Sequence, residues 1–405
     1  MSTGFDGERL HRVAELCDRY VNNNKFPCAQ IQISHRGEVV LRHTAGKADM
    51  ETGRDLHENA IFRIYSMTKP LTSIALMQLY EKGLFLLEDK VDKFLPEFSD
   101  PQVLIGGSYL NPVLRPAQTP LTMRDMLMHT SGLTYAFHFS NNLDKMYRSS
   151  NLGSIAMRLD NNDQPDLEET VKRLAEMPLL FDPGTSWNYS MSTDVCGRLV
   201  EVISGTPLDE YMSQHITTPL EMFDTAFHVS DENIERFTSN YAFTKENPLT
   251  RIDNWETSQY LVKPTFLSGG GGLVSTTNDY QRFVTMLLNG GELEGKRVIG
   301  RKTLQYMTSN HLPNQTTLND FGQSTFSETA MEGMGFGLGF SVLQDPIANA
   351  ALGSQGQFAW GGAASTRFWV DPKEELTCVF MTQFMPSSFY PIRRELKAVI
   401  YQALR

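Results

Sequence analysis

From Gly7 to Tyr20 the apolar residues Leu10, Val13, Leu16 and Cys17 recur at helical spacing, which predicts an amphipathic helix. The period then changes to two. Ala29-Gln30-Ile31-Gln32-Ile33 alternates, His35-Arg36-Gly37 turns the chain, and Val39-Val40-Leu41 resumes, so a hairpin follows the helix. Strand-like runs return far along the chain at Phe336–Val342, Thr366–Val370 and Thr377–Thr382, with Asp371-Pro372-Lys373-Glu374 as a turn and a closing helix expected from Ile392 to Leu404. Hairpins at both ends predict an α+β fold: an antiparallel sheet flanked by N- and C-terminal helices.

The middle third reads as helix: Pro70 to Lys82 ending at Gly83, Thr122 to His129, Leu167 to Ala175, and Thr193 to Ser204 ending at Gly205. A mostly helical subdomain over 66–224 is therefore expected as an insertion into a discontinuous sheet domain, 1–65 with 225–405, and the active site is expected at their interface. The polar stretch Asn141 to Gln164 is either a surface excursion or a lid over that site.

The 405 residues are ample for a large core. Acidic residues number 47 against 36 basic ones, and without a basic cluster the net charge of −11 repels nucleic acid and anionic lipid. Neither a nucleic acid nor a membrane is expected as a partner; a small-molecule substrate is, and the sequence sets no oligomeric state. No run reaches the roughly 18 apolar residues of a spanning helix. Met1 to Arg9 has mixed charge and no apolar stretch, so no secretory signal is read there and a cytoplasmic location is expected. Cys17, Cys28, Cys196 and Cys378 are too far apart for zinc motifs or a compact disulfide framework and are expected as buried free thiols.

Several common signatures fail. Gly184-Thr185-Ser186-Trp187-Asn188 lacks the last glycine of G-x-S-x-G, and His57-Glu58 is followed by Ile61 where H-E-x-x-H needs its second histidine. Gly269-Gly270-Gly271-Gly272 has neither phosphate-loop nor dinucleotide spacing and reads as a close backbone crossing. One arrangement remains: Ser66-Met67-Thr68-Lys69 at the start of a predicted helix whose apolar side is Leu71, Ile74, Ala75 and Leu79. A serine and a lysine three positions apart share a helical face, so a desolvated lysine can take or relay the hydroxyl proton.

The surroundings of this motif resemble a known family in several places and in order. Ile64 to Pro70, with Gly83-Leu84 and Leu95-Pro96, is similar to the first motif block of the serine β-lactamase and penicillin-binding-protein superfamily. His129-Thr130-Ser131-Gly132-Leu133, Pro183-Gly184 with Trp187 and Tyr189-Ser190, Gly270 to Thr276, and Trp360-Gly361-Gly362 resemble later blocks of its class C branch, and within it the family VIII carboxylesterases. The resemblance implies the β-lactamase/transpeptidase-like fold, Ser66 as nucleophile, and Lys69 with Tyr189 as a coupled proton pair. It further implies an oxyanion hole from the amides of Ser66 and Ala363.

Two positions depart from the penicillin-recognising pattern. Trp360-Gly361-Gly362 stands where those enzymes carry K-T-G, and Met191 stands where β-lactamases carry an amide-bearing asparagine. Trp360 is expected as an apolar wall and, with Gly361, Gly362 and Met191, as part of the substrate site, favouring uncharged esters over carboxylates. Arg367 and Lys263 are the candidates for a pocket cation, which keeps β-lactam turnover open. His129 is expected to end a helix rather than act as a base, Ser131 and Ser275 to cap turns or helices, and Met123, Met126 and Met128 to fill the core or line the pocket.

The expectation is a serine carboxylesterase acting on small, largely apolar esters through an acyl-enzyme, with no metal or organic cofactor. The alternatives are an acyltransferase or a β-lactamase or peptidase using the same site, and a non-catalytic binding protein of the same fold.

Overall fold

In the computed structural model, which describes residues 4–153 and 165–405, strands from the two ends of the chain share one antiparallel sheet. Its eight strands run in the order Met334–Phe336, Ser341–Leu343, Phe358–Gly361, Arg367–Asp371, Leu376–Met381, Cys28–His35, Glu38–Asp49, Arg54–Asp55. The joint between the two ends is the pairing of Ile31 with Phe380 and Ile33 with Cys378.

Both faces of the sheet are covered. Leu10, Val13 and Leu16 of the Gly7–Asn22 helix and Leu396 and Ile400 of the Ile392–Tyr401 helix pack on Ile31, Ile33, Trp369 and Phe380. The opposite face presents Phe368, Val370, Val379 and Met381 to the main core, against Tyr280, Phe283 and Val284 of the Thr277–Leu288 helix. Double coverage explains why Leu376–Met381 is buried at every position and apolar at all but Thr377. In the alternating segment the glutamines are buried too. Gln30 Nε2 donates to Thr44 Oγ1 at 3.1 Å and its Oε1 accepts from the Thr277 hydroxyl at 2.5 Å, so the polar phase of the strand ties the sheet to the helix above it.

The run expected as one strand over Phe336–Val342 is instead a tight hairpin of Met334–Phe336 and Ser341–Leu343. Gly339 turns it in the left-handed region at φ +93°, where a Cβ would meet Ser73 Oγ at 2.2 Å. Apolarity persists through the turn because Leu338 and Phe340 are both buried.

The middle helices are Thr68–Glu81, Met123–Met128, Leu167–Ala175 and Ser192–Ser204. Thr122 and Asp125 form a capping box, and His129 closes the same helix in the left-handed conformation, as expected for a helix end. The hairpin Gln102–Gly107 with Pro112–Pro116 was not foreseen, since glycine and proline interrupt its alternation. Ser131 accepts the Leu133 N–H in a turn, but Ser275 caps nothing: Thr276 caps the Thr277–Leu288 helix, and Ser275 bonds the Thr225 hydroxyl. Asn141 caps a helix over Asn142–Ser149, and residues 154–164 of the expected excursion or lid lie outside the described residues. The four cysteines are buried and unpaired, as expected. Among the described residues no helix is long and apolar enough to cross a membrane.

Candidate active site

The Thr68–Glu81 helix is buried on every side from Thr68 to Leu79, so its polar groups need internal partners. Thr72 donates to the Gly269 carbonyl at 2.7 Å and Gln78 to the Val298 carbonyl at 2.8 Å. Just before this helix, Tyr65–Met67 makes one tight 3-10 turn, and Tyr65 holds a left-handed backbone at φ +43°. A non-glycine residue in that region is strained, and here it sets Ser66 on the lining of a cavity.

Around Ser66 the structure gathers Lys69 and Tyr189. The Tyr189 hydroxyl donates to Ser66 Oγ at 2.5 Å, and Lys69 Nζ donates to Ser66 Oγ at 3.3 Å and to the Gly270 carbonyl at 2.6 Å. Lys69 Nζ also lies 4.6 Å from the centroid of the Tyr189 ring. Burial pushes the Lys69 pKa down to about 7, a shift that the Asp194 and Glu328 carboxylates oppose. Burial raises the Tyr189 phenol well above 10, and Glu328 adds to the rise while the Ser66 hydrogen bond opposes it. Near neutral pH the amine is thus the group that gives up its charge readily, while the phenol stays protonated, and both bond the serine oxygen directly.

The glycine run crosses close behind this pair. A Cβ on Gly270 would fall 2.6 Å from Asp194 Oδ2, and one on Gly269 would fall 2.8 Å from the Thr193 carbonyl. Asp194 Oδ1 accepts from Ser268 Oγ at 2.6 Å and from the Gly270 N–H at 3.0 Å, which fixes the carbonyl that holds Lys69. His129 is buried with Nδ1 3.1 Å from Ser190 Oγ, and desolvation and the Lys69 charge hold it neutral, its pKa well below 6.5.

The cavity is walled by Tyr65, Tyr135, Phe137, Tyr260, Phe266 and Phe326, with Met191 and Ala363 also on its lining. Ala363 follows Gly361 and Gly362, where a Cβ on Gly362 would fall 2.3 Å from the Ile64 carbonyl, so the strand end can approach the serine turn only as glycine. Among the described residues no hydrogen bond takes up the N–H of Ser66 or of Ala363.

Several placements differ from expectation. Trp360 does not wall the cavity, and Gly361 and Gly362 are not on its lining either: the indole is fully buried behind Tyr189, edge-on at 5.5 Å between ring centroids, because its strand turns that side chain into the main core with Phe358. Arg367 is spent on the Glu328 carbonyl at 2.7 Å, and Lys263 pairs with Asp209 at 2.6 Å, so neither brings a cation to the pocket. Sequence reasoning also missed Asp194, Tyr135 and Glu328, which reach the site from separate segments without a shared motif.

A serine bonded to a desolvated lysine and a tyrosine, on this sheet-and-helix frame, defines a serine hydrolase of β-lactamase-like fold. The chain belongs to the family described as Beta-lactamase, whose model matches residues 13–402. It is 31% identical over 385 residues to Protein Rv1367c of Mycobacterium tuberculosis, covering 94% of this chain and 90% of that one. It is 29% identical to Esterase EstB of Burkholderia gladioli, covering 92% and 89%. The solved structure of EstCE1, described as a hydrolase with promiscuous acyltransferase activity, superposes with a TM-score of 0.82 at 23% identity over 98% of this chain and 99% of that one.

Proposed function

We propose that the protein is a serine carboxylesterase for small, largely apolar carboxylic esters. The observation that carries this reading is Ser66 Oγ between the Tyr189 hydroxyl and Lys69 Nζ on the lining of an aromatic cavity. Ser66 Oγ attacks the ester carbonyl carbon while its proton passes to the Lys69/Tyr189 pair. The amides of Ser66 and Ala363 stabilise the tetrahedral oxyanion, the alcohol leaves with the proton, and water hydrolyses the acyl group on Ser66. The likeness to an esterase supports the ester as substrate.

The pocket chemistry disfavours a β-lactam. Among the described lining residues there is no lysine or arginine to hold a substrate carboxylate, and burial of Lys69 behind the serine disfavours its charged form. Met191 offers no amide for a β-lactam side chain.

A second reading, acyl transfer to an alcohol or amine from the same acyl-enzyme, is favoured by the resemblance to EstCE1. A non-catalytic binder would have no use for a lysine and a tyrosine converging on one serine oxygen.

The test is a pair of initial rates, on a short-chain nitrophenyl ester and a chromogenic cephalosporin, for wild type and Ser66→Ala. Ester turnover lost in the variant with little cephalosporin cleavage supports the esterase, and full ester activity in Ser66→Ala ends it. Product diverted from free acid to a new ester by added alcohol identifies transfer.

A further inference from the structure

The Ile392–Tyr401 helix covers the sheet on the side away from the main core, yet one of its side chains reaches the active-site strand. Arg393 Nη2 donates to Glu328 Oε2 at 2.7 Å, to the Thr366 carbonyl at 3.0 Å and to the Gly362 carbonyl at 3.1 Å, and Nη1 donates to the Glu328 carbonyl at 3.0 Å. The two carbonyls from 362 and 366 belong to one tight turn. The Gly362 N–H donates to the Thr366 carbonyl and the Ser365 N–H to the Gly362 carbonyl, each at 3.0 Å, and Ala363 sits within that turn.

Glu328 anchors the guanidinium. Its side chain is 1% exposed, Oε2 accepts from the Ser387 hydroxyl at 3.1 Å, and its backbone carbonyl also takes the Arg367 Nη1 donor at 2.7 Å. The turn is held from both sides. A Cβ on Gly361 would fall 2.5 Å from Arg393 Nη2, and one on Gly362 would fall 2.3 Å from the Ile64 carbonyl, two residues before the nucleophile.

We propose that Arg393, with Glu328 as its anchor, is a positioning residue that fixes the direction of the Ala363 N–H toward the oxyanion. An amide donor stabilises that charge only if it is already aimed when the charge forms, and a rigid guanidinium fork can hold a carboxylate and two carbonyls at once where a lysine cannot. The proposal rests on the reading of the Ser66 and Ala363 amides as the oxyanion site.

The test measures kcat and KM for a nitrophenyl ester in wild type, Arg393→Ala and Arg393→Lys, with competent sites counted by an aryl phosphonate that labels Ser66. The expected result for Arg393→Ala is a kcat per titrated site reduced about 10- to 100-fold with KM within about threefold, because the lost interaction belongs to the transition state. Added guanidinium is expected to restore part of that rate, and methylammonium at the same concentration is not. A purely structural arginine would instead lower the number of titrated sites and the melting temperature while leaving kcat per site unchanged. Should Arg393→Ala not fold, Arg393→Lys carries the test, with an intermediate fall in kcat expected. A kcat per site within about twofold of wild type in the folded variants overturns the proposal. Failure of the underlying esterase reading is separate, since it appears as ester turnover that survives Ser66→Ala.

Discussion

The Tyr189 hydroxyl meets Ser66 Oγ at 2.5 Å across 123 positions of chain. The ring is held independently of that contact, by Trp360 at 5.5 Å, by Trp187 stacked at 6.4 Å, and by the 2.6 Å hydrogen bond between His138 Nε2 and the Tyr189 carbonyl. Tyr189→Phe therefore removes the hydroxyl that the proposed mechanism makes a proton carrier, and little packing. Its kcat is expected to fall by about 10²- to 10⁴-fold with the melting temperature nearly unchanged. A variant retaining more than about a tenth of the wild-type rate would take Tyr189 out of the proton path.

On the proposed mechanism Lys69 sets the pH profile. With burial holding its pKa down at about 7, the neutral amine that accepts a proton prevails above that pH, and the charged form prevails below it. The logarithm of kcat/KM is expected to rise with pH to a plateau, with an apparent pKa of about 7 in the free enzyme. Lys69→Met is expected to abolish turnover across the range. A flat wild-type profile through neutrality would contradict the assignment.

Gly362→Ala forces a methyl group toward the Ile64 carbonyl and Thr366 Oγ1, at 2.3 and 2.4 Å. Backbone on one side cannot move without shifting the serine turn. A loss of about 1–3 kcal/mol in stability is expected, with a larger proportional loss of kcat than of folded protein. Denaturation midpoints and kcat per titrated site measured on the same preparation distinguish the two effects.

Lys397 is a second buried amine, bonded to Gln357 Oε1 at 2.6 Å in the interface between the Ile392–Tyr401 helix and the sheet. Burial, reinforced by Arg367 and opposed by Asp371, lowers its pKa from 10.5 to about 7. The unfolded chain consequently binds one more proton than the native protein between about pH 7 and 10.5, so this group's contribution to stability becomes more favourable as pH rises through that window. Below it both states carry the proton and the contribution is flat at its least favourable. Lys397→Met is thus expected to gain on wild type most near pH 6.5, and the gain should shrink by up to about 1.4 kcal/mol per pH unit toward pH 9.5. Chemical denaturation of both proteins at the two pH values reads this directly, and a difference independent of pH would contradict it.

What the sequence makes legible is what local spacing encodes. Ser66 and Lys69 are neighbours by helical geometry alone, His129 is marked as a helix end by its position before Thr130-Ser131-Gly132, and the two-residue period finds the outer strands. Trp360 shows where such reasoning stops. Its strand parity points it into the core behind Tyr189, and parity relative to a cavity is a property of the assembled sheet rather than of the tripeptide. Asp194, Glu328 and Arg393 come from three separate segments, and each acts through a carbonyl, an amide or a charge that carries no sequence signature. The hairpin read as a single strand at Phe336–Val342 has the same origin, because burial of Leu338 and Phe340 kept the turn apolar.

The pairing of Cys28–His35 with Leu376–Met381 also bears on how the protein is made. During synthesis the early hairpin leaves the ribosome more than three hundred residues ahead of the strand that completes it. Until then one edge of Cys28–His35 stands open, with Ile31 and Ile33 lacking the neighbours that later flank them. Closure of the sheet is therefore a late event that joins parts of the chain more than three hundred residues apart. Polypeptides cut short before Leu376 would expose that edge, making them candidates for chaperone capture or aggregation rather than partial enzymes.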